Sequence, residues 1–238
     1  MTSVASASTR LYGFSALATA VLRMWRAWRI LLPVVIVNAL VQAALLIPGL
    51  LPYLSVPFIL ASLLSFVVLV LSFGAVAAAM LQAVQGPVDA RAVWGALRAR
   101  WLPLLAWSLG IVVIATIGFS LYVLPGFAVL AAVPYLLLAV VDGRSRPLRV
   151  NFRTIGARWG RWFVTVCVLA IVCLVVWVLA LVDTFFVGGV GGAFIGWIFL
   201  GMVAGWFVCA WALIFRAVNP LDEARRIGSC AFSGEARH

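Results

Sequence analysis

Side chains able to carry out chemistry are few in this chain of 238 residues, and their spacing does not favour catalysis. The one histidine is the last residue, and no two of the six acidic residues are spaced for shared acid–base work. Cys167, Cys173, Cys209 and Cys230 include no C-x-x-C pair and have no histidine partner, so they predict no metal site. We therefore expect a protein that is not an enzyme and that binds no cofactor.

The composition indicates a protein that lies in a bilayer. Hydrophobic residues make up 66% of the chain and charged residues only 10%, and the mean hydropathy is +1.22. Soluble domains carry about 25% charged residues. Six apolar runs approach or exceed the length of a membrane span, which needs about 20 residues. They cover about residues 30–51, 55–82, 102–124, 126–141, 163–182 and 192–215, and the fourth is the shortest.

The distribution of charge predicts the orientation of these spans. All seventeen basic residues are arginines, and none lies in the connections that follow the first, third and fifth spans, where Asp183 is the only charge. The positive-inside rule therefore places both termini and both long connections in the cytoplasm. The first apolar run is too long for the core of a signal peptide, so we expect it to stay in the mature protein. We expect a multi-pass protein of the bacterial inner membrane.

Residues 142–162 hold six arginines between two apolar spans. From Leu148 the apolar side chains recur at steps of four and three, which lines them on one helical face, and Arg149, Arg153 and Arg161 point away. We expect this helix to lie in the headgroup layer, where each basic residue contributes roughly 1 kcal/mol of attraction to an anionic leaflet. The arginines predicted to contact lipid headgroups are Arg91, Arg98, Arg100, Arg149, Arg153, Arg158 and Arg161.

The start of the 142–162 segment is predicted to be a boundary between two helices. Gly143 is expected to adopt the positive φ that ends a helix, and Ser145 or a neighbour is expected to cap the next one. Orientation and anchoring explain the arginines better than a phosphate-binding active site does. Because the arginines are interleaved with tryptophan and leucine at span boundaries, we expect anionic membrane lipids as partners and no nucleic acid.

The basic segments indicate an internal repeat. Residues 90–101 align with residues 148–159, and the N-terminal segment holds a looser version that closes with Arg26-Ala27-Trp28. A shared requirement for arginine and tryptophan at membrane boundaries is the alternative explanation. The prediction is one domain over residues 1–238, with units at about 10–82, 86–142 and 145–217 and a cytoplasmic tail at 218–238. The fold class is an all-α integral membrane protein of six transmembrane helices in three hairpins, each preceded by a basic amphipathic interfacial helix.

Two runs carry a family resemblance: ALRARWLPLLAW at residues 96–107, and VLPGFAVLAAVPYLLLAVVDGRS at residues 123–145, followed by a basic helix. They resemble the membrane domain associated with some bacterial glycerophosphoryl diester phosphodiesterases and related six-span proteins, over about residues 85–217. The matching features are Leu124-Pro125-Gly126 at the outer turn, Pro134 within a span, and Asp142, Gly143 and Ser145. This chain departs from the pattern with an aspartate where glutamate is commoner, and with Arg149, Phe152 and Thr154 where small residues are usual. The resemblance implies an accessory membrane domain with no established ligand, and without a hydrolase domain it implies no phosphodiesterase activity.

Polar residues and glycines inside the predicted spans are the remaining candidates for a site. Asn38 and Gln42 lie four apart on one face of the first span and are the first-choice residues of a cavity, although hydrogen bonds between helices would also explain them. In the sixth span, two GxxxG pairs predict close packing on two neighbours, with docking of a partner or second copy as the alternative. These pairs are Gly192 with Gly196 and Gly201 with Gly205.

Three functions from different classes fit these features. We favour a non-catalytic accessory or scaffold subunit that contacts anionic lipids and a membrane or cytoplasmic partner, or a second copy of itself. The alternative is a transporter or lipid-handling protein with a cavity among the three hairpins. An integral membrane enzyme is least favoured, because its candidate groups lack suitable partners in the sequence. Those groups are Asp89, Asp142, Ser145, Asp222 and Glu223.

Overall fold

The computed structural model describes residues 13–45, 55–186 and 189–220, and within them the side chains other than those at 13–15, 123, 177 and 180–186. Every regular element in these ranges is a helix. Six of the helical segments are long and apolar enough to cross a membrane, which confirms the predicted all-α membrane protein. His238, Cys230, Asp222, Glu223 and Gly188 lie outside the described residues, as does the side chain of Asp183.

The helices are numbered in chain order. They are α1 (Gly13–Met24), α2 (Trp28–Ala44), α3 (Val56–Ala83), α4 (Ala90–Leu121), α5 (Val123–Ala132), α6 (Leu136–Val141), α7 (Pro147–Ala157), α8 (Trp159–Phe186) and α9 (Gly189–Val218). A short 3-10 turn, Trp25–Ala27, joins α1 to α2, and the two cross the membrane together as Ala16–Ala44. The basic segment of residues 90–101 is continuous with the third span in α4, whereas Arg158 separates α7 from α8.

The fourth span is broken where Pro134 stands. Pro134 has no backbone N–H, so α5 ends at Ala132 and α6 begins at Leu136. Two side chains from the next part of the chain satisfy the backbone groups that the break leaves unpaired. Asn151 donates its Nδ2 to the Ala132 carbonyl at 2.7 Å and accepts the Tyr135 N–H at 3.0 Å, and Trp162 Nε1 donates to the Ala131 carbonyl at 2.9 Å. A broken helix is tolerated at membrane depth only when its backbone groups find such partners.

Packing is tight at the arginine-bearing end of the helices and open toward the other end. In α3 the residues from Gly74 to Leu81 are all buried, whereas Val56 to Leu69 are exposed or half-buried. In α9 most residues from Gly205 to Phe215 are buried, whereas only Gly192 is buried among residues 189–204. Side-chain hydrogen bonds also hold α1 at the packed end, because Trp206 Nε1 donates to the Leu17 carbonyl at 2.9 Å.

The glycines of α9 differ in their surroundings. A Cβ at Gly201 would lie 2.7 Å from Val35 Cγ1, and one at Gly205 would lie 2.9 Å from Leu31 Cδ1, so this pair lies close against α2. A Cβ at Gly196 would meet nothing within 4 Å. Gly192 is buried and Gly196 exposed, so the first pair does not present one uniform face.

We expect Gly201→Ala to lower the unfolding midpoint of the detergent-solubilised protein, because the added methyl group overlaps a stiff, β-branched valine in a packed contact. Overpacking of this kind costs about 1–3 kcal/mol. Gly196→Ala is the matched control on the same helix and should leave the midpoint unchanged or raise it, since alanine favours helix formation. Equal midpoints for the two variants would contradict the close contact between α9 and α2.

Candidate functional site

An apolar groove of about 420 Å³ lies between α2, α3, α4, α6 and α9. Its walls are mostly aliphatic and aromatic, with Asn38, Ser72 and Ser108 as the polar side chains that line it. Leu69, Val112 and Leu200 also line it and are 42%, 47% and 38% exposed, so the groove opens sideways to the surface that faces lipid. Helices from all three predicted hairpins contribute to this groove, which we call the apolar groove below.

The two predicted cavity residues occupy different positions. Asn38 lines the apolar groove, whereas Gln42 is not among the lining residues. Gln42 links α2 to α3 instead: its Nε2 donates to the Ser65 carbonyl at 3.2 Å, and its Oε1 accepts from Ser65 Oγ at 2.6 Å. Gln42 Nε2 also lies 3.5 Å from Asn38 Oδ1 and holds that side chain in place. Ser108 Oγ is buried in the groove wall without a hydrogen-bond partner among the described residues.

A second polar feature lies at the packed end, where α6 stops. The Gly143 N–H donates to the Val140 carbonyl at 3.1 Å and the Arg144 N–H to the Ala139 carbonyl at 3.0 Å, which forms a Schellman motif. Gly143 has φ of +81°, as the sequence predicts. The cap of α7 was predicted at Ser145 or a neighbour, and the N-cap residue is the neighbour, Arg146. It makes no side-chain capping bond, and Pro147 starts the helix with its φ already fixed.

This turn places Asp142 between two arginines from distant parts of the chain. Arg144 Nε lies 2.8 Å from Asp142 Oδ2, and Arg216 Nη2 of α9 lies 2.6 Å from Oδ1. The carboxylate side chain is only 6% exposed, and the two guanidinium side chains are 7% and 10% exposed. The guanidinium group of Arg100 in α4 packs where a Cβ of Gly143 would stand. We call Arg100, Arg144 and Arg216 with Asp142 the guanidinium cluster.

Asn219 and Thr154 connect the guanidinium cluster to α7. Arg144 Nη2 donates to the Asn219 carbonyl at 3.3 Å, and the Asn219 side chain accepts from Arg153 Nη2 at 2.5 Å. Asn219 Nδ2 donates to Thr154 Oγ1 at 2.9 Å. The buried face of α7 is therefore polar, since Asn151 and Thr154 are both fully buried, whereas Phe152 is 55% exposed. Side-chain hydrogen bonds therefore join the end of α9, the end of α6 and α7, in addition to their apolar contacts.

The arginines predicted to contact headgroups have three kinds of surroundings. Arg91, Arg98 and Arg149 are exposed, and Arg153 is exposed but bonded to Asn219. Arg100, Arg158 and Arg161 are half-buried. On the predicted apolar face of the 142–162 segment, Leu148, Phe152 and Trp159 are exposed, whereas Ile155 and Trp162 are half-buried and pack toward the core.

The structure brings together residues that the sequence interpretation missed. Arg144, Arg216 and Asn219 were not singled out from the sequence, because no local pattern signals that residues 75 apart form a contact. Asn151 and Thr154 do carry a signal, because they lie three apart on the helical face opposite Phe152.

Within the described residues no three histidine, cysteine or acidic side chains form a group that could hold a metal ion. Cys167 and Cys173 are exposed and Cys209 is buried.

No protein-family model, curated protein or solved structure matches this chain. The resemblance of residues 85–217 to the membrane domain described above therefore stays a prediction.

Proposed function

We propose that this membrane protein is a lipid-handling protein that holds the hydrocarbon chain of a bilayer lipid in the apolar groove. The groove itself is the observation that supports this function over the accessory role favoured from the sequence. Its volume of about 420 Å³ falls within the range of ligand pockets, about 300–1,000 Å³.

The position of the groove selects the class of ligand. Its lining residues come from the middle of spans, such as Val70 in α3, Ile111 in α4 and Ala204 in α9. A ligand that enters sideways through exposed leucine and valine side chains arrives from the hydrocarbon layer of the bilayer. Charged residues do not line the groove, so an ion or a charged solute finds no counter-charge there. An acyl chain is the ligand that matches both the entrance and the walls.

The few polar groups in the groove give the ligand a preferred orientation. Asn38 and Ser108 approach the groove from α2 and α4, and the Ser108 hydroxyl lacks a protein partner in the described part of the chain. A buried hydroxyl without a partner costs about 1–3 kcal/mol. A carbonyl or hydroxyl group of a lipid ester would satisfy it, so we expect the ester end of the chain to lie toward α4.

Ala204→Phe should obstruct the groove, because Ala204 lines it and phenylalanine adds a ring there. The probe is a phosphatidylcholine with a photoactivatable diazirine in one acyl chain, in bilayer vesicles that contain the protein. In the native protein we expect cross-links concentrated on residues 69–76, 108–112 and 200–208, and in the variant about tenfold fewer, equivalent to about 1.4 kcal/mol of binding. The reason is steric: the added ring takes the volume that the acyl chain needs.

Ala170→Phe is the matched control, since Ala170 is exposed on α8 and does not line the groove. It should leave the cross-linking pattern unchanged. Labelling spread evenly over the lipid-facing surfaces of α3, α4, α8 and α9, with no difference between the two variants, would contradict the proposal.

An accessory role at the membrane surface is the second candidate, and exposed basic and aromatic side chains favour it. Arg91, Arg98 and Arg149 are exposed, and Trp94 and Trp101 are 51% and 45% exposed. Such residues suit the headgroup layer of an anionic leaflet. Mass spectrometry of the purified protein distinguishes the candidates: a stoichiometric protein partner supports the accessory role, and a stoichiometric lipid supports lipid handling. We also propose, for either function, that the protein lies in the bacterial inner membrane with both termini in the cytoplasm.

A further inference from the structure

The guanidinium cluster is separate from the apolar groove. It lies where α6 ends and α9 reaches Arg216, whereas α9 contributes residues 197–208 to the groove. At a rise of about 1.5 Å per residue, Val208 and Arg216 are about 12 Å apart along α9. Buried apolar side chains, including Phe215 and Tyr135, belong to the core that lies at this end.

Hydrogen-bond donors in the cluster exceed the acceptors that the described residues supply. Arg216 uses Nη2 on Asp142, but its Nε and Nη1 are buried and have no partner in the described part of the chain. Its side chain is nine-tenths buried, at 10% exposure. Unpaired buried donors are rare in native proteins and often mark a bound ion or water. The unpaired atoms of Arg216 therefore point to a missing acceptor.

Arg100 adds a further guanidinium group, and this one makes no hydrogen bond to any described residue. It packs on Gly143, the residue next to Asp142, and Cα atoms of adjacent residues are about 3.8 Å apart. Arg144 follows directly and already uses Nε on Asp142 and Nη2 on the carbonyls of Asn219 and Pro220. Two guanidinium groups thus contact the Asp142 carboxylate and a third packs on the adjacent Gly143, so positive charge is in excess at this turn.

We propose that the guanidinium cluster binds a phosphate group, with Arg100 and Arg216 as its ligands and Arg144 held at the same turn by Asp142. A planar guanidinium group donates two parallel hydrogen bonds to a phosphate, and a doubly charged phosphate monoester matches the excess positive charge. Asp142 fixes Arg144 and Arg216 so that little side-chain entropy is lost on binding. The ligand is a phosphomonoester headgroup of a membrane lipid or a soluble phosphate.

The two sources are distinguished with two probes on the full chain in a neutral maltoside detergent. Inorganic phosphate and dioctanoyl phosphatidic acid are titrated separately, with dioctanoylglycerol as the uncharged lipid, and the midpoint of thermal unfolding is followed by tryptophan fluorescence. Binding to the folded state raises the midpoint in a saturable way. A rise with both phosphate probes supports a site open to any phosphate, and a rise with phosphatidic acid alone assigns the site to a lipid headgroup.

Arg100→Gln is the main variant, because it removes a ligand without removing a hydrogen bond of the described fold. Its affinity for the probe should fall about tenfold, equivalent to about 1.4 kcal/mol, with each shift measured from the variant's own unliganded midpoint. Arg100→Lys keeps the charge but loses the planar guanidinium group. Its affinity for the probe should lie between those of the native chain and Arg100→Gln. Arg26→Gln, which changes an exposed arginine outside the guanidinium cluster, should bind as the native chain does.

Three results would overturn the proposal. The first is the absence of a rise with either phosphate probe. The second is an equal loss of affinity in Arg26→Gln and Arg100→Gln, which would indicate diffuse electrostatic attraction. The third concerns Asp222 and Glu223, which follow Pro220 in the sequence. A rise that appears only after Asp222→Asn and Glu223→Gln are combined would assign the guanidinium cluster to those carboxylates.

Discussion

Asp142→Asn should be among the most destabilising single substitutions in this protein. The carboxylate is 6% exposed and accepts from Arg144 at 2.8 Å and Arg216 at 2.6 Å, and the Arg100 guanidinium group packs on the next residue. Removing one partner of a buried ion pair costs about 3–5 kcal/mol, because the remaining charges stay buried and uncompensated. We expect a large fall in the unfolding midpoint of the detergent-solubilised protein, or too little folded protein to purify.

Asp89→Asn is the control that separates this effect from a general loss of an acidic side chain. Asp89 is exposed at the N-cap of α4, where its Oδ1 accepts the Arg91 N–H at 3.0 Å, and asparagine caps about as well as aspartate. Combining Asp142→Asn with Arg216→Met should recover part of the loss, since it also removes an unpaired charge. Equal midpoints for Asp142→Asn and Asp89→Asn would show that the cluster does not hold this end of the bundle.

Asn151→Leu should also have a large effect, because it leaves the break in the fourth span without its partner. Both hydrogen bonds of the Asn151 side chain are lost, and the Tyr135 N–H and the Ala132 carbonyl remain buried without a protein partner. At about 1–3 kcal/mol for each of the two buried unpaired groups, the expected loss is roughly 2–6 kcal/mol. The measurement is again the unfolding midpoint, with Arg149→Gln on the exposed face of α7 as a control that should change little.

A double-mutant cycle with Pro134→Ala tests the cause of this loss. Alanine restores the backbone N–H that Pro134 lacks, so α5 and α6 can form hydrogen bonds closer to those of one continuous helix. Asn151→Leu should therefore cost less in the Pro134→Ala background than in the native chain, and coupling energies of contacting residues are about 0.5–3 kcal/mol. Strictly additive effects would mean that Asn151 acts through some other contact.

The sequence predicted the features that depend on composition and local conformation. Six spans follow from the length and apolarity of the runs, and the end of α6 follows from Gly143, whose missing side chain permits a φ of +81°. The shortness of the fourth span was visible, but its break was not, because the partners of Ala131 and Ala132 lie 31 and 19 residues further along the chain. A pattern within one helix cannot identify such partners.

The candidate sites were predictable only where a residue type was unusual for its position. Asn38 stood out as an amide in an apolar span, and it lines the apolar groove. Arginine at a span boundary is usual, so Arg144 and Arg216 gave no signal that they share the carboxylate of Asp142. The groove itself arises from the spacing of five helices, which no single segment encodes. The domain repeats and the predicted headgroup contacts stay predictions.

The break at Pro134 also constrains the order in which the chain can enter the bilayer. The carbonyls of Ala131 and Ala132 find their donors only on α7 and α8, at Asn151 and Trp162. An unsatisfied backbone group in hydrocarbon costs several kcal/mol. Until residue 162 has been synthesised, these carbonyls lack their partners, and the fourth span alone is therefore unstable in lipid. We expect it to complete its insertion together with the segment that follows it.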